Sequence, residues 1–77
     1  MKKFVDIKVG DSVICYDEYG HDYVEHELII TSIEYDKECA TTSNPEGMIC
    51  YGDDVDKEEF GDDYLTVVTE SNFCRIK

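Results

Sequence analysis

Apolar residues in this chain fall in short runs separated by Gly, Pro, Asn and clustered acids. That spacing predicts strands rather than helices. The densest run is Leu28-Ile29-Ile30-Thr31-Ser32-Ile33-Glu34-Tyr35, rich in β-branched residues and free of Gly and Pro. Its alternation slips once: Leu28 and Ile30 share one face, Ile33 and Tyr35 the other, and the phase changes at Thr31-Ser32. A β-bulge at that point turns all four side chains inward and bends the strand, as a small curled sheet requires.

Around this run the chain reads in order as follows. Residues 4–7 are a mixed lead-in, and Val9-Gly10-Asp11 makes a turn into a first strand at 12–16. The acidic, aromatic stretch Asp17-Glu18-Tyr19-Gly20-His21-Asp22 is a loop before a long second strand at 23–35. Asp36-Lys37-Glu38 closes a hairpin into a third strand at 39–43, whose Thr41 and Thr42 suit a sheet surface. Asn44-Pro45-Glu46-Gly47 is the strongest turn signal, with Pro at the second position and Gly at the fourth. A fourth strand at 48–51 follows. Residues 52–63 break the strand rhythm and fit one helical turn over 55–60, capped by Asp53 or Asp54 and ended by Gly61. Residues 64–69 make a fifth strand, Glu70-Ser71-Asn72 a tight turn, and 73–76 a short last strand. The expected core is Val13, Cys15, Leu28, Ile30, Ile33, Met48, Cys50, Leu65, Val67, Phe73 and Ile76.

The expected fold is therefore mostly β: a single small domain spanning residues 1–77, an SH3-like barrel or curled antiparallel sheet of five to six strands with one short helical turn. Val9-Gly10-Asp11-Ser12-Val13 resembles the segment that enters the first strand of many SH3-like small barrels. A bent second strand and a short turn before the last strand fit that plan. The resemblance is one of architecture. The ligand-binding SH3 domains carry an aromatic pair in their first loop and a Trp opening the third strand, and this chain has no Trp. Binding of PxxP peptides does not carry over, and architecture by itself implies no activity.

Charge changes the picture more than hydropathy does. The net charge is −12, and residues 17–63 alone carry −14, against +1 on each flank. Such a chain repels nucleic acid and anionic membrane and attracts basic proteins or cations, so neither direct nucleic-acid binding nor membrane association is expected. Residues 1–8 lack the apolar core of a signal peptide, and no run approaches membrane-spanning length. The expected location is the cytoplasm, where the four cysteines, Cys15, Cys39, Cys50 and Cys74, are read as free, buried thiols.

Candidate chemistry is sparse. Residues 53–63 hold seven carboxylates around Lys57, and Asp17, Glu18, Asp22, Glu25 and Glu27 add five more. Tyr16, Tyr19, Tyr23, Tyr51 and Tyr64 lie close to them in sequence, and tyrosine brings contact area to an interface at little entropic cost. Asp54-x-Asp56-x-Glu58 begins like an EF-hand loop, but Gly61 falls two positions later than the glycine that loop needs, and Leu65 stands where its bidentate carboxylate should be, so no metal is assigned. His21 and His26 have no CxxC partner and read as exposed histidines among carboxylates. A Cys15–His pair has no orienting third group, and no phosphate-cradling glycine loop exists. No catalytic residue and no cofactor is expected.

The expectation is a non-catalytic acidic protein that docks on a basic, nucleic-acid-binding partner, as a nucleic-acid-mimic inhibitor of the phage or mobile-element type does. Its partner-binding residues are Asp17, Glu18, Tyr19, Asp22, Tyr23, Glu25, Glu27, Tyr51, Asp53, Asp54, Asp56, Glu58, Glu59, Asp62 and Asp63. The alternatives are a barrel whose mouth holds a small cationic ligand, and a soluble domain whose acidic face serves only solvation. The sequence sets no oligomeric state.

Overall fold

A computed structural model describes residues 3–17 and 24–77. Five antiparallel strands form one curled half-barrel sheet: β1 (Ser12–Tyr16), β2 (Glu25–Tyr35), β3 (Met48–Asp54), β4 (Val67–Val68) and β5 (Phe73–Ile76). Their order across the sheet is β4-β3-β2-β1-β5. A short helix α1 (Lys57–Phe60) runs on into a 3₁₀ turn at Gly61–Asp63. No helix among the described residues is long and apolar enough to cross a membrane.

The long strand β2 is the spine. Its first half pairs with β1, Leu28 opposite Val13, and residues 28–35 pair with β3. The register against β3 shifts between Ile30 and Ser32, at the position where the hydrophobic phase slips. The bulge leaves Leu28 and Ile30 fully buried and lets Ile33 pack against the same core. Tyr35 departs from the expectation and is 60% exposed. It is the last residue of β2, past the stretch that pairs with β1.

The core gathers Val13, Cys15, Leu28, Ile30, Met48 and Cys50 with Val68, and Ile33, Leu65, Phe73 and Ile76 pack against it. Val68 replaces Val67, because pairing of β4 with β3 turns it inward. Phe4 and Ile7 join the core from a 3₁₀ turn at Phe4–Asp6. The Phe4 ring meets Phe73 edge-on at 5.7 Å, an arrangement aromatic quadrupoles favour. The lead-in thus closes one side of the half-barrel.

The expected strand at 39–43 does not form. The chain makes a 3₁₀ turn at Lys37–Cys39, its start capped by the Asp36 carboxylate accepting from the Glu38 amide. Thr41 spends its hydroxyl on the Asn44 amide, and buried Asn44 bonds both the amide and the carbonyl of Met48. These side-chain bonds give the backbone an alternative to a ladder, and they win over β-branching at Thr41 and Thr42. Gly47 completes the loop at a positive φ of 67°, where a Cβ would collide with the Asp36 carbonyl. The next strand is correspondingly longer, running through Gly52 to Asp54. A Cβ on Gly52 would stand 2.5 Å from the Ile29 carbonyl oxygen, so glycine permits the close approach beside the bulge.

The expected strand at 64–69 shrinks to Val67–Val68, which makes one edge of the sheet only two residues long. The other edge, β5, carries Arg75 and is followed by Lys77. All four cysteines are free: Cys15 and Cys50 are buried and Cys74 half-buried, whereas Cys39 is exposed, contrary to the expectation for it.

Candidate functional site

The acidic stretch at 53–63 begins in the last residues of β3. Period-two alternation there points Asp54 inward with Met48, Cys50 and Gly52, and Asp53 outward. On β2 the same alternation points His26 inward with Leu28 and Ile30. The His26 Nδ1 and an Asp54 carboxylate oxygen lie 2.8 Å apart, with both side chains essentially inaccessible. A carboxylate only accepts, so Nδ1 carries the proton of this bond.

Asp54 also accepts from the Asp56 amide at 3.0 Å and from the Leu65 amide at 3.0 Å. Burial pushes its carboxyl up. The Leu65 amide, the His26 ring and the Asp56 amide outweigh burial and hold it below its ordinary value. The Phe60 ring covers His26, with ring centroids 3.9 Å apart. One buried carboxylate therefore ties down both the beginning and the end of the acidic stretch, and an aromatic from its middle plugs the same spot. Asp54 is thus a correction to the expected docking residues: it faces the core. His26 is likewise buried, not an exposed histidine.

The remaining carboxylates of this stretch, Asp53, Asp56, Glu58, Glu59, Asp62 and Asp63, are all exposed. Among the described residues none of the six is in an ion pair. The lysine within the stretch, Lys57, lies over the Tyr64 ring, 4.6 Å from its centroid.

The second acidic stretch is treated differently. Leu28 pairs with Asp54, and the Val55 amide donates to the Glu27 carbonyl at 2.9 Å, so the start of β2 lies beside the 53–63 segment. Here, however, β5 and its extension deliver cations. Arg75 contacts Glu25 at 3.3 Å, and Lys77 contacts Glu27 at 2.7 Å. The Lys77 ammonium and the Ser12 hydroxyl hold the Glu27 carboxyl below its ordinary value. Glu25 and Glu27 thus have internal partners. Asp17 and Tyr51 are half-buried. Glu18, Tyr19, Asp22, Tyr23 and His21 lie outside the described residues.

The thiol beside the His26–Asp54 pair is Cys15. Cys15 stands opposite His26 on the neighbouring strand. Burial, then the nearby Asp54 carboxylate and the Cys74 thiol, push its pKa up to about 12. A thiol so placed stays protonated at neutral pH and has no solvent access. The EF-hand-like spacing loses its first ligand, since Asp54 spends its oxygens on internal donors. Among the described residues no group of three or more His, Cys, Asp or Glu is arranged to hold a metal ion.

A shallow groove lies between the 36–47 loop and the turn before β5, lined by Cys39, Met48, Ile49 and Glu70 among others. Its carboxylate, Glu70, accepts from the Thr41 hydroxyl at 2.8 Å and from the Ser43 hydroxyl, pinning the two loops together. No tyrosine lines it.

Sequence reading missed the His26–Asp54–Phe60 cluster because charge was read as exposure. The signal was present in the alternation itself: His26 sits two positions before Leu28 and Asp54 four positions after Cys50, each in phase with the core. No protein-family model, no curated protein and no solved structure matches this chain.

Proposed function

We propose that this protein is a non-catalytic acidic docking module for a basic partner of the nucleic-acid-binding class, acting in the cytoplasm. One observation carries the reading: six exposed carboxylates, none of them ion-paired among the described residues, stand on a segment whose two ends are fastened by one buried side chain. Carboxylates on a held backbone meet an Arg/Lys surface with less ordering cost than carboxylates on a free tail. Their common sign also speeds encounter with a cationic surface, in a salt-dependent way. The strand order, with a short turn before the last strand, supports an SH3-like barrel as the scaffold. The free thiols suit a reducing compartment.

The structure redraws the surface that was expected. Asp54 belongs to the fastening, and Glu25 and Glu27 are occupied by Arg75 and Lys77. In this reading the docking residues within the described part of the 53–63 stretch are Asp53, Asp56, Glu58, Glu59, Asp62 and Asp63, with Tyr64 and Val55 exposed beside them.

The test uses the immobilised protein at low salt. Wild type is expected to retain a basic nucleic-acid-binding protein and to release it as salt rises or as duplex DNA is added, because both compete for the same cationic groups. A variant carrying Asp53→Asn, Asp56→Asn, Glu58→Gln, Glu59→Gln and Asp62→Asn, with Asp54 untouched, is expected to retain nothing. Equal retention by that variant ends the docking reading, and retention indifferent to DNA ends the mimicry part of it.

A further inference from the structure

We propose that residues 56–65 form a strap, latched to the sheet by the Asp54–His26 pair, which opens as one unit while the sheet stays folded and so governs presentation of the acidic surface. The backbone bonds define the unit. Val55 donates to the Glu27 carbonyl just before the strap, and the Thr66 carbonyl accepts from Gly52 just after it. Between them, the Glu59 and Phe60 amides bond back to Asp56, and the Gly61 amide to Lys57. Among the described residues no backbone–backbone bond joins 56–65 to the sheet. The polar fastening is the Asp54 carboxylate, which receives the amides of Asp56 and Leu65. The apolar fastening is Phe60 against His26, with Leu65 packed on the core beyond it.

A segment with few bonds to the body, concentrated at one point, is the kind that opens locally at less cost than the whole fold. The strength of the latch follows from the chemistry of that point. Ionised Asp54 accepts three donors; a protonated carboxyl carries a hydrogen of its own and accepts fewer. Facing the pair, β1 contributes Cys15, a neutral thiol, with Cys74 of β5 near it in turn, and the strap contributes Phe60 and the two amides. Lys57 is turned to Tyr64. No other described residue forms an ion pair with Asp54 or His26.

The strap rests on the docking reading only for what its opening accomplishes, so the test omits any partner. Hydrogen exchange is followed residue by residue at neutral pH in wild type, Asp54→Asn and Phe60→Ala. Asp54→Asn is expected to speed exchange at the Asp56, Phe60 and Leu65 amides about ten-fold or more, as loss of a hydrogen bond to a charged acceptor implies, while β1–β2 amides keep their protection. Phe60→Ala is expected to speed the same amides to a smaller extent. Unchanged strap amides in both variants overturn the proposal. So does loss of sheet protection in step with the strap, including failure of Asp54→Asn to fold. Normal strap opening in a protein that retains no basic partner would leave the latch standing and remove only the docking.

Discussion

At the scale of single residues, the His26–Asp54 bond sets most of what is distinctive here. Two polar side chains are buried side by side, and each is affordable only because the other is present. Replacing His26 by Ala removes a donor to an inaccessible carboxylate and the surface on which Phe60 rests. The expected cost is about 2–4 kcal/mol, read from the shift of a urea unfolding midpoint at constant slope. A pH dependence follows from the same pair. Asp54 is held below its ordinary value of 3.8. Its contribution is therefore complete above that value and drains away as pH falls through the folded value. Wild type is expected to lose stability below about pH 4, and Asp54→Asn, less stable throughout, to show a flatter acid limb in a series of thermal melts. These positions were legible in the sequence only through phase: His26 falls in step with Leu28, and Asp54 with Cys50. The acids around Asp54 hid that signal, since a charged side chain is a poor prior for burial.

At the scale of elements, β2 and its bulge were open to sequence reading because a period of two permits one slip and no more. Leu28 and Ile30 could not share a core with Ile33 unless one residue was set aside, and Thr31 is that residue. Deleting Thr31 keeps Leu28, Ile30 and Ile33 on one face by plain alternation but removes the bulge that bends β2, so the sheet no longer curls around its core. The expected result is loss of a cooperative thermal transition, measured by calorimetry. Conservative Thr31→Val keeps the residue count and is expected to retain it. The loop at 36–47 was misread for a reason of the same kind. Thr41 and Thr42 have strand-forming side chains, but capping by Asp36 and Asn44 decides the backbone, and no periodicity reveals a side chain's choice of partner. Val67 and Val68 show the remaining weakness: adjacent valines leave the inward one undetermined until pairing is known.

At the scale of the whole molecule, charge segregation governs behaviour more than any single contact. The cations at the end of the chain meet Glu25 and Glu27, which leaves the six carboxylates of 53–63 to repel one another across a short span. Raising sodium chloride from low concentration to about 0.5 M is expected to raise the melting temperature, because screening relieves that repulsion more than it weakens the few exposed ion pairs. A melting temperature that falls with salt would mean that those pairs outweigh the repulsion. The overall architecture was readable in advance, since strand spacing and turn residues depend only on local chemistry. The separation of the acids into a paired set and an unpaired one was not, because it depends on where the final strand lands.

The two-residue span of β4 has a further consequence. A wandering extended chain that reaches this side finds almost no row of amides and carbonyls to copy. On the far side it meets Arg75 and Lys77 at the margin of β5. The described edges thus offer little for one molecule to stack upon the next into fibres, and crowded solutions of this protein should stay clear where those of a longer-rimmed sheet would gel.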